Sequence, residues 1–371
     1  MKKTKLLKKV EVDFTLFIVI LAILVIGVIM VYSASSYSAL NNPAIHDDMY
    51  YFKKQLISAF LGLFLMLIIE KIDYHKIKKY TNIILIITFV LLILVVLIGP
   101  SINGAKRWIN VGPLGQLQPS EIAKYAIVLL LAKGIEKTGE RIKKFSTVIV
   151  YLFVAAFFAG MVYIEKNLSI ASVIMIVSII IIYVGGAKWQ YIAALIGSLL
   201  PIGLVFIYAE AYRINRLMTF LNPWQDPKGK GYQIIQSFYA LGSGGILGLG
   251  FGQSRQKCYY IPEPHNDFIF AIIGEELGLI GCVFIIILFL IMIQRGISIA
   301  MNAKDTYGTL LAVGITSVIA IQAIINIAVV TGSMPVTGVP LPFISYGGSS
   351  LLFNLMAMGI LLNISSQKER K

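Results

Sequence analysis

The sequence predicts an all-α membrane protein that crosses the bilayer about ten times. Of its 371 residues, 58% are hydrophobic and only 13% are charged, whereas soluble domains carry about 25% charged residues. The apolar residues form ten separate runs, and a bilayer crossing needs about 20 apolar residues. Composition and run length therefore exclude an ordinary water-soluble fold, and we expect one membrane domain over 1–371.

The runs place the helices in chain order. They lie at 14–34, 52–70, 82–99, 119–133, 146–165, 168–186, 190–208, 266–293, 306–331 and 344–364. The basic segment 2–9 followed by the first run is also compatible with a secretory signal. The apolar run is longer than the usual signal core of about 7 to 15 residues, which favours a retained first helix.

Basic residues indicate the orientation of the chain. If the N-terminus is cytoplasmic, 20 of the 32 Lys and Arg residues fall in cytoplasmic segments. This agrees with the general excess of Lys and Arg in the cytoplasmic loops of membrane proteins. Both termini are then cytoplasmic. The net charge of +14 is spread between apolar runs instead of forming one stripe, so no nucleic-acid partner is expected.

The long segment 209–265, between the seventh and eighth helices, is predicted to be an ordered extracytoplasmic loop. It is rich in Gly, Pro and aromatic residues, and long loops of this kind commonly carry function. Its charged side chains sum to +3 and include Arg213, Arg216 and Lys257. Such cations favour an anionic substrate such as a pyrophosphate, although contact with lipid headgroups explains the charge equally well. The Gly-rich stretch 242–245 lacks the Lys of a phosphate loop and is interpreted as a flexible turn.

Two charged residues fall inside the fourth predicted helix. Glu121 and Lys124 are three residues apart, so they lie on one helix face and can neutralise each other. Ionisable groups inside a membrane usually face the bundle interior and mark a pathway or site. A purely structural ion pair is the alternative.

Asp267 is the principal catalytic candidate, because it lies at the water-facing end of the eighth predicted helix. Gly274, Gly278 and Gly281 fall on the helix face below it, which predicts a close helix contact. The competing interpretation is a helix cap, since Asp accepts N–H bonds at helix N-termini. Glu275 and Glu276 point elsewhere on the helix, so paired-carboxylate chemistry is not supported.

Other motifs offer no conventional mechanism. The three histidines are scattered, no zinc, Walker or nucleophile-elbow motif occurs, and Cys258 and Cys282 suggest neither a disulfide nor a metal site. The Pro-rich stretch 334–342 cannot be a continuous helix. The small and hydroxyl residues of 345–350 that follow it are suited to lining a cavity or to close packing.

Several stretches together resemble the SEDS family (shape, elongation, division and sporulation). The run 335–350, Pro-Val-Thr-Gly-Val-Pro-Leu-Pro-Phe-Ile-Ser-Tyr-Gly-Gly-Ser-Ser, is similar to the family signature. Further similar stretches lie at 103–109, 118–124, 212–216, 252–257 and 262–270. The runs 220–227 and 356–363 resemble the FtsW and SpoVE branch more than the RodA branch.

The resemblance implies roles for individual residues. Asp267 matches the essential acid of the family, which displaces the cap interpretation, and Glu121 with Lys124 matches a membrane-embedded ion pair. Tyr259 stands where some relatives carry a second acid, so no role for a second carboxylate transfers there. The turn 165–167, Glu-Lys-Asn, replaces a Pro-Asp-Leu acidic turn common in relatives.

The resemblance implies an inverting peptidoglycan glycosyltransferase that polymerises lipid II at the outer face of the cytoplasmic membrane, in division, sporulation or elongation. Asp267 is the expected general base, and a divalent cation, Mg²⁺ or Mn²⁺, is the candidate cofactor, with no organic cofactor. The expected partners are lipid II, the nascent glycan strand, a class B penicillin-binding protein and divisome or elongation-complex proteins. A lipid II flippase and a scaffold that recruits the transpeptidase are the alternatives. The expected substrate-binding residues are Arg107, Trp108, Glu121, Lys124, Arg213, Arg216, Lys257, His265, Ser345 and Ser349.

Overall fold

The structure, a computed structural model, is almost entirely helical. It describes residues 12–101, 104–112, 115–195, 197, 214, 218–229 and 231–367. Ten α-helices have described bounds: α1 Phe14–Leu40, α2 Tyr50–Glu70, α3 Tyr74–Ile98, α4 Pro119–Thr138, α5 Phe145–Ile164, α6 Leu168–Val184, α7 Tyr232–Gly244, α8 Ile269–Met301, α9 Thr306–Val330 and α10 Gly348–Ser366. Two short strands, β1 Ile109–Asn110 and β2 Gln116–Leu117, pair antiparallel before α4.

The predicted fold class is confirmed. Within the described residues, seven helices are long and apolar enough to cross a membrane, namely α1, α2, α3, α5, α8, α9 and α10. Helix α6, at 17 residues, is apolar but shorter, and α4 carries the predicted charged pair. Nine of the ten predicted spans correspond to these helices. The predicted span at 190–208 lies mostly outside the described residues.

Helices α8 and α9 lie against most of the other elements. Helix α8 packs on α1, α7 and α9, while α9 also contacts α4 and α6. Helix α10 packs mainly on α2. The outward faces of α2 and α3 expose large apolar side chains such as Phe60, Phe64 and Ile86, as expected where lipid replaces water as the surrounding solvent.

Several predicted boundaries were wrong. Helix α3 begins at Tyr74 instead of residue 82, because Asp73 accepts the N–H of His75 and caps the first turn. Helix α8 begins at Ile269, so Asp267 precedes it. The predicted turn at 242–245 is mostly the last turn of α7, which ends at Gly244. Helix α10 begins at Gly348, after the predicted break in the chain.

The connecting segments lie at two ends of the helix bundle. The Asp267 end comprises the described residues of 41–49, 99–118, 165–167, 218–268 and 331–347, apart from α7, which packs beside them. The opposite end comprises the described residues of 12–13, 71–78, 136–144, 185–188 and 295–305.

Candidate active site

The backbone around Asp267 is held by three separate donors. The carbonyl of His265 accepts the N–H of Tyr346 at 2.9 Å. The carbonyl of Asn266 accepts the Ser345 hydroxyl at 2.8 Å. The carbonyl of Asp267 itself accepts the amide of Asn326 at 2.8 Å. Three consecutive peptide groups are therefore fixed by side-chain and backbone groups of α9 and the 339–347 segment.

The Asp267 side chain lies over a glycine of the broken segment. Gly338 has φ +78°, and a Cβ at this position would come within 3.2 Å of Oδ2 of Asp267. The side chain of Asp267 is partly exposed. The N-cap residue of α8 is Phe268, so Asp267 lies one residue before the cap position. The structure therefore places a partly exposed acid beside Gly338, where an added Cβ would come unusually close to the carboxylate.

His265 and Ser345 support the backbone of this site. The His265 ring is buried and lies 4.3 Å from the Tyr51 ring, centroid to centroid. Burial lowers the pKa of His265 to about 4, so the ring is neutral at pH 7. Its Nδ1 has no hydrogen-bond partner within the described part of the chain. The Ser345 hydroxyl also accepts the N–H of Leu341 at 2.8 Å. Both residues lie beside Asp267, and their predicted role in binding the substrate stays a prediction.

The predicted ion pair in α4 is present and almost completely buried. Nζ of Lys124 lies 2.8 Å from Oε2 of Glu121, with side-chain exposures of 0% and 1%. One residue later, the Tyr125 hydroxyl donates to Asn354 of α10 at 2.7 Å. The ion pair is internal to α4, whereas the Tyr125–Asn354 hydrogen bond joins α4 to α10.

The β1–β2 hairpin contributes Arg107 and the neighbouring Trp108, both half-buried. The guanidinium of Arg107 donates to the carbonyls of Glu165 and Lys166 in the turn between α5 and α6. Ser349 connects the hairpin to α10, because its hydroxyl donates to the Gln116 carbonyl at 3.0 Å. The hairpin is thus fastened to two helices at the Asp267 end.

The sequence interpretation named Glu165, which lies just after α5, only as part of a turn and gave it no role. Its side chain is 1% exposed, and neither carboxyl oxygen has a hydrogen-bond partner in the described structure. Burial raises the pKa of this carboxyl to about 8, against the opposing effect of the Arg107 guanidinium. A buried polar group without a partner is uncommon and requires an explanation. Only burial, which the sequence pattern does not reveal at a turn, could have identified it.

The predicted cations of the long loop have different positions. Lys257 is buried, and its Nζ lies 3.0 Å from Oε1 of Glu276 in α8. Its charge is therefore neutralised inside the protein. Arg213 and Arg216 lie outside the described residues.

The described residues do not assemble a metal centre. No group of three or more His, Cys, Asp or Glu side chains among them could hold a metal ion. The Mg²⁺ or Mn²⁺ expected from the sequence therefore stays a prediction.

The fold and the site define the class of protein. It is an integral membrane protein, a multi-pass helical bundle with a buried ion pair and with a carboxylate at one end of the bundle. The chain belongs to the FtsW/RodA/SpoVE family of cell cycle proteins, whose family model matches residues 14–370. It is 45% identical to stage V sporulation protein E of Bacillus subtilis over 96% of this chain and 98% of that protein. It is 43% identical to a probable peptidoglycan glycosyltransferase FtsW of Trichlorobacter lovleyi, over 96% and 93% of the two chains.

Solved structures show the same fold. A chain from a peptidoglycan synthase complex, solved in work on the coordination of polymerization and crosslinking, matches with a TM-score of 0.78 at 27% identity, covering 95% of this chain and 97% of that one. The rod shape determining protein RodA of Thermus thermophilus matches with a TM-score of 0.70 at 25% identity, covering 97% and 98%. The family resemblance noted in the sequence is confirmed.

Proposed function

We propose that the protein is a peptidoglycan glycosyltransferase that polymerises lipid II, with Asp267 as the general base. Relatives that match nearly the whole chain bear the name of this activity. The assignment rests on Asp267, which is partly exposed. The carbonyls of residues 265, 266 and 267 each accept a hydrogen bond, so the backbone that carries this carboxylate is held in place. A fixed base near the acceptor hydroxyl contributes about 10²- to 10⁴-fold to the rate.

The proposed step is a single displacement with inversion. The 4-hydroxyl of the incoming lipid II attacks the anomeric carbon of the lipid-anchored glycan, and a new C–O bond forms. The bond from that carbon to the undecaprenyl pyrophosphate breaks, and the pyrophosphate leaves with its electron pair. The hydroxyl proton passes to the Asp267 carboxylate.

The leaving pyrophosphate requires cationic partners. We assign this role to Arg107, which is half-exposed on the hairpin, together with Arg213 and Arg216 from the long loop. Lys257 is left out, because its ammonium already pairs with Glu276. The neutral His265 and the Glu121–Lys124 pair contribute to the shape of the site in this proposal and do not act on the leaving group.

The proposal places the Asp267 end outside the cytoplasm and both termini inside, since lipid II polymerisation takes place at the outer membrane face. A class B penicillin-binding protein is the proposed partner, and other divisome or elongation-complex proteins would recruit the pair. In support, one structural neighbour comes from a complex that combines polymerization with crosslinking.

A polymerisation assay tests the proposal. The purified chain, supplied with lipid II with and without its transpeptidase, should form glycan polymer, and Asp267→Ala should lose at least about 100-fold of the rate while keeping its melting temperature. Asp47→Asn is the matched control, an exposed acid at the same end, and should keep full activity. Wild-type polymerisation by Asp267→Ala would remove Asp267 from the proposed role.

A lipid II flippase is the second candidate. Two observations favour it: the buried Glu121–Lys124 pair and the interruption of α8 at Gly278, since transporters use buried charges and broken helices at their sites. Sealed vesicles separate the two functions. Lipid II translocation without polymer would favour the flippase, whereas polymer from the isolated chain would favour the glycosyltransferase and exclude a scaffold role.

A further inference from the structure

Helix α8 is interrupted two and a half turns after it begins. Gly278 has φ +67° and ψ −166°, which no α-helix accommodates. An interruption in the middle of a membrane helix leaves carbonyl and N–H groups that need partners from elsewhere in the protein.

The segment after α7 supplies those partners. The carbonyls of Glu275 and Glu276 accept the N–H groups of Leu249 and Gly250 at 2.9 and 3.0 Å. On the other side of the break, the N–H of Leu279 donates to the Gly245 carbonyl at 2.9 Å. The loop that follows α7 therefore replaces the helical hydrogen bonds that are missing at the break in α8.

The same loop then folds over the two carboxylates at the break. Glu275 accepts the backbone N–H groups of Arg255 and Gln256 at 3.0 and 3.2 Å, and it also binds the Ser254 hydroxyl. Glu276 turns the other way, towards Lys257. Glu275 and Glu276 thus bind neighbouring residues of the loop that follows α7.

Three elements meet at Glu276. Lys257 donates from Nζ to Glu276 at 3.0 Å and to the Gly252 carbonyl at 2.8 Å. The Ser33 hydroxyl of α1 lies 2.7 Å from both carboxylate oxygens of Glu276. The Lys257 and Glu276 side chains are 7% and 0% exposed. Removing one partner of a pair this deeply buried leaves the other charge buried without compensation.

This ion pair closes the part of the chain that carries Asp267. Lys257 and Glu276 bound a stretch of twenty residues, and Asp267 lies at its middle. Within the stretch, Tyr259 and Glu263 have φ values of +67° and +46°. Non-glycine residues keep such conformations only where the surrounding structure imposes them. A stretch strained in this way and joined at its two ends will move when the junction is released.

We propose that Lys257, Glu276 and Ser33 form a positioning clasp, which closes the stretch 257–276 and thereby sets the place of the Asp267 carboxylate. The three are positioning residues and touch no substrate. This inference rests on the proposed role of Asp267. It assigns Lys257 to the protein's own carboxylate in place of the phosphate predicted from sequence.

The two assignments of Lys257 predict different kinetics. If Lys257 bound the pyrophosphate, Lys257→Met would raise KM and Glu276→Gln would leave Lys257 available to the substrate. In a clasp, either substitution releases the same junction. We expect both to lower kcat at unchanged KM by about 10- to 100-fold, the loss typical of a small displacement of a catalytic group. Lys257→Arg, which keeps the charge, should restore most of kcat.

A double variant separates positioning from simple destabilisation. Each single substitution leaves a buried charge without its partner, whereas Lys257→Met with Glu276→Gln removes both charges and should fold normally. We expect this double variant to keep its melting temperature and to show the kcat loss of one single variant, not of two. Ser33→Ala is the milder companion and should lower kcat in the same direction without removing a charge.

A second pair offers the matched control. Asp13 and Arg295 join the start of α1 to α8 at the opposite end, with Nη2 and Oδ2 2.6 Å apart. Asp13→Asn with Arg295→Met removes one α1–α8 ion pair far from Asp267 and should leave kcat unchanged per folded molecule.

Wild-type kcat in both the Lys257–Glu276 double variant and Ser33→Ala would overturn the clasp. A rise in KM confined to Lys257→Met would overturn it too, in favour of the phosphate role. Asp267→Ala in the same assay keeps the two proposals distinguishable. If it is inactive while the double variant is normal, only the clasp fails; if it is active, the proposed base fails.

Discussion

The two ends of the helix bundle differ in how their polar side chains are paired. At the opposite end, charged side chains meet partners across helix boundaries. The pairs there are Asp13 with Arg295, Lys78 with Glu136, and His75 with Asp305. In each pair the two charges compensate each other and join neighbouring helices. These contacts therefore stabilise the packing of the helices at this end.

The Asp267 end instead keeps strain and unsatisfied polar atoms. All described non-glycine residues with positive φ lie there: His46, Lys166, Tyr259, Glu263 and Phe343. Among the described residues, buried polar side-chain atoms without a hydrogen-bond partner also occur there, in Glu165, Gln256, His265 and Thr337. Such costs are concentrated at functional sites, where the surrounding structure imposes them. The contrast is in keeping with the proposal that the Asp267 end carries the active site, while the opposite end stabilises the fold.

Among the variants that compare the two ends, the largest effect is expected at Gly338. Gly338→Ala places a Cβ within 3.2 Å of the Asp267 carboxylate and should displace it, lowering kcat about tenfold or more. Gly139→Ala at the opposite end is the control, because it also has positive φ but no atom within 4 Å of its Cβ. Both variants should lose about 1 kcal/mol of stability to backbone strain. Equal activity of the two variants, measured by polymerisation, would contradict the contrast between the ends.

Glu165 should make stability depend on pH. Its pKa is raised from an ordinary 4.5 to about 8 by burial, so between these values the folded chain holds a proton that the unfolded chain releases. Stability is then greatest at low pH and is lost as pH rises towards about 8. Glu165→Gln should remove this loss, seen in melting temperatures from pH 5 to 9 in detergent. Glu140→Gln, an exposed acid at the opposite end, should follow the wild-type curve. Parallel curves for wild type and Glu165→Gln would refute the buried carboxyl.

The smallest effect is expected at Asp305, at the opposite end. Hydrogen bonds from the Gly308 N–H and His75 outweigh the opposing effect of burial and hold the pKa of Asp305 below its usual value. Its charge therefore stabilises the fold at neutral pH, and this contribution is lost as pH falls through that lowered pKa. Asp305→Asn keeps the helix cap and should cost up to about 1 kcal/mol. Polymerisation per folded molecule should not change; a loss of activity at constant folded fraction would show that this end also serves the chemistry.

Local sequence patterns predicted much of the fold. Apolar runs located nine of the described helices, and the three-residue spacing of Glu121 and Lys124 predicted their pairing. Helix α7 was missed because glycines near its end suggested a turn. The interruption at Gly278 was missed because the apolar run continues through it, which makes the predicted glycine face of α8 discontinuous. The hydrophobic pattern of a segment thus predicts that the segment is a helix, but it does not predict where the helix is interrupted.

The site was predicted less completely, since its contacts join distant parts of the chain. Asp267, His265 and Ser345 were identified from sequence and lie together. The partner of Lys257 is Glu276, nineteen residues away, and no periodicity connects them. Glu165 became notable only through its burial, which depends on how α4, α5 and α6 pack.

The location of Asp267 relative to the membrane offers the most direct test of the proposed chemistry. In a chain whose Cys258 and Cys282 are replaced, Asp267→Cys should react with a membrane-impermeant maleimide in intact cells stripped of their wall. Asp73→Cys, at the opposite end, should react only after the membrane is opened. Labelling of position 73 but not position 267 in sealed cells would place the carboxylate in the cytoplasm and contradict a role in polymerising lipid II outside it.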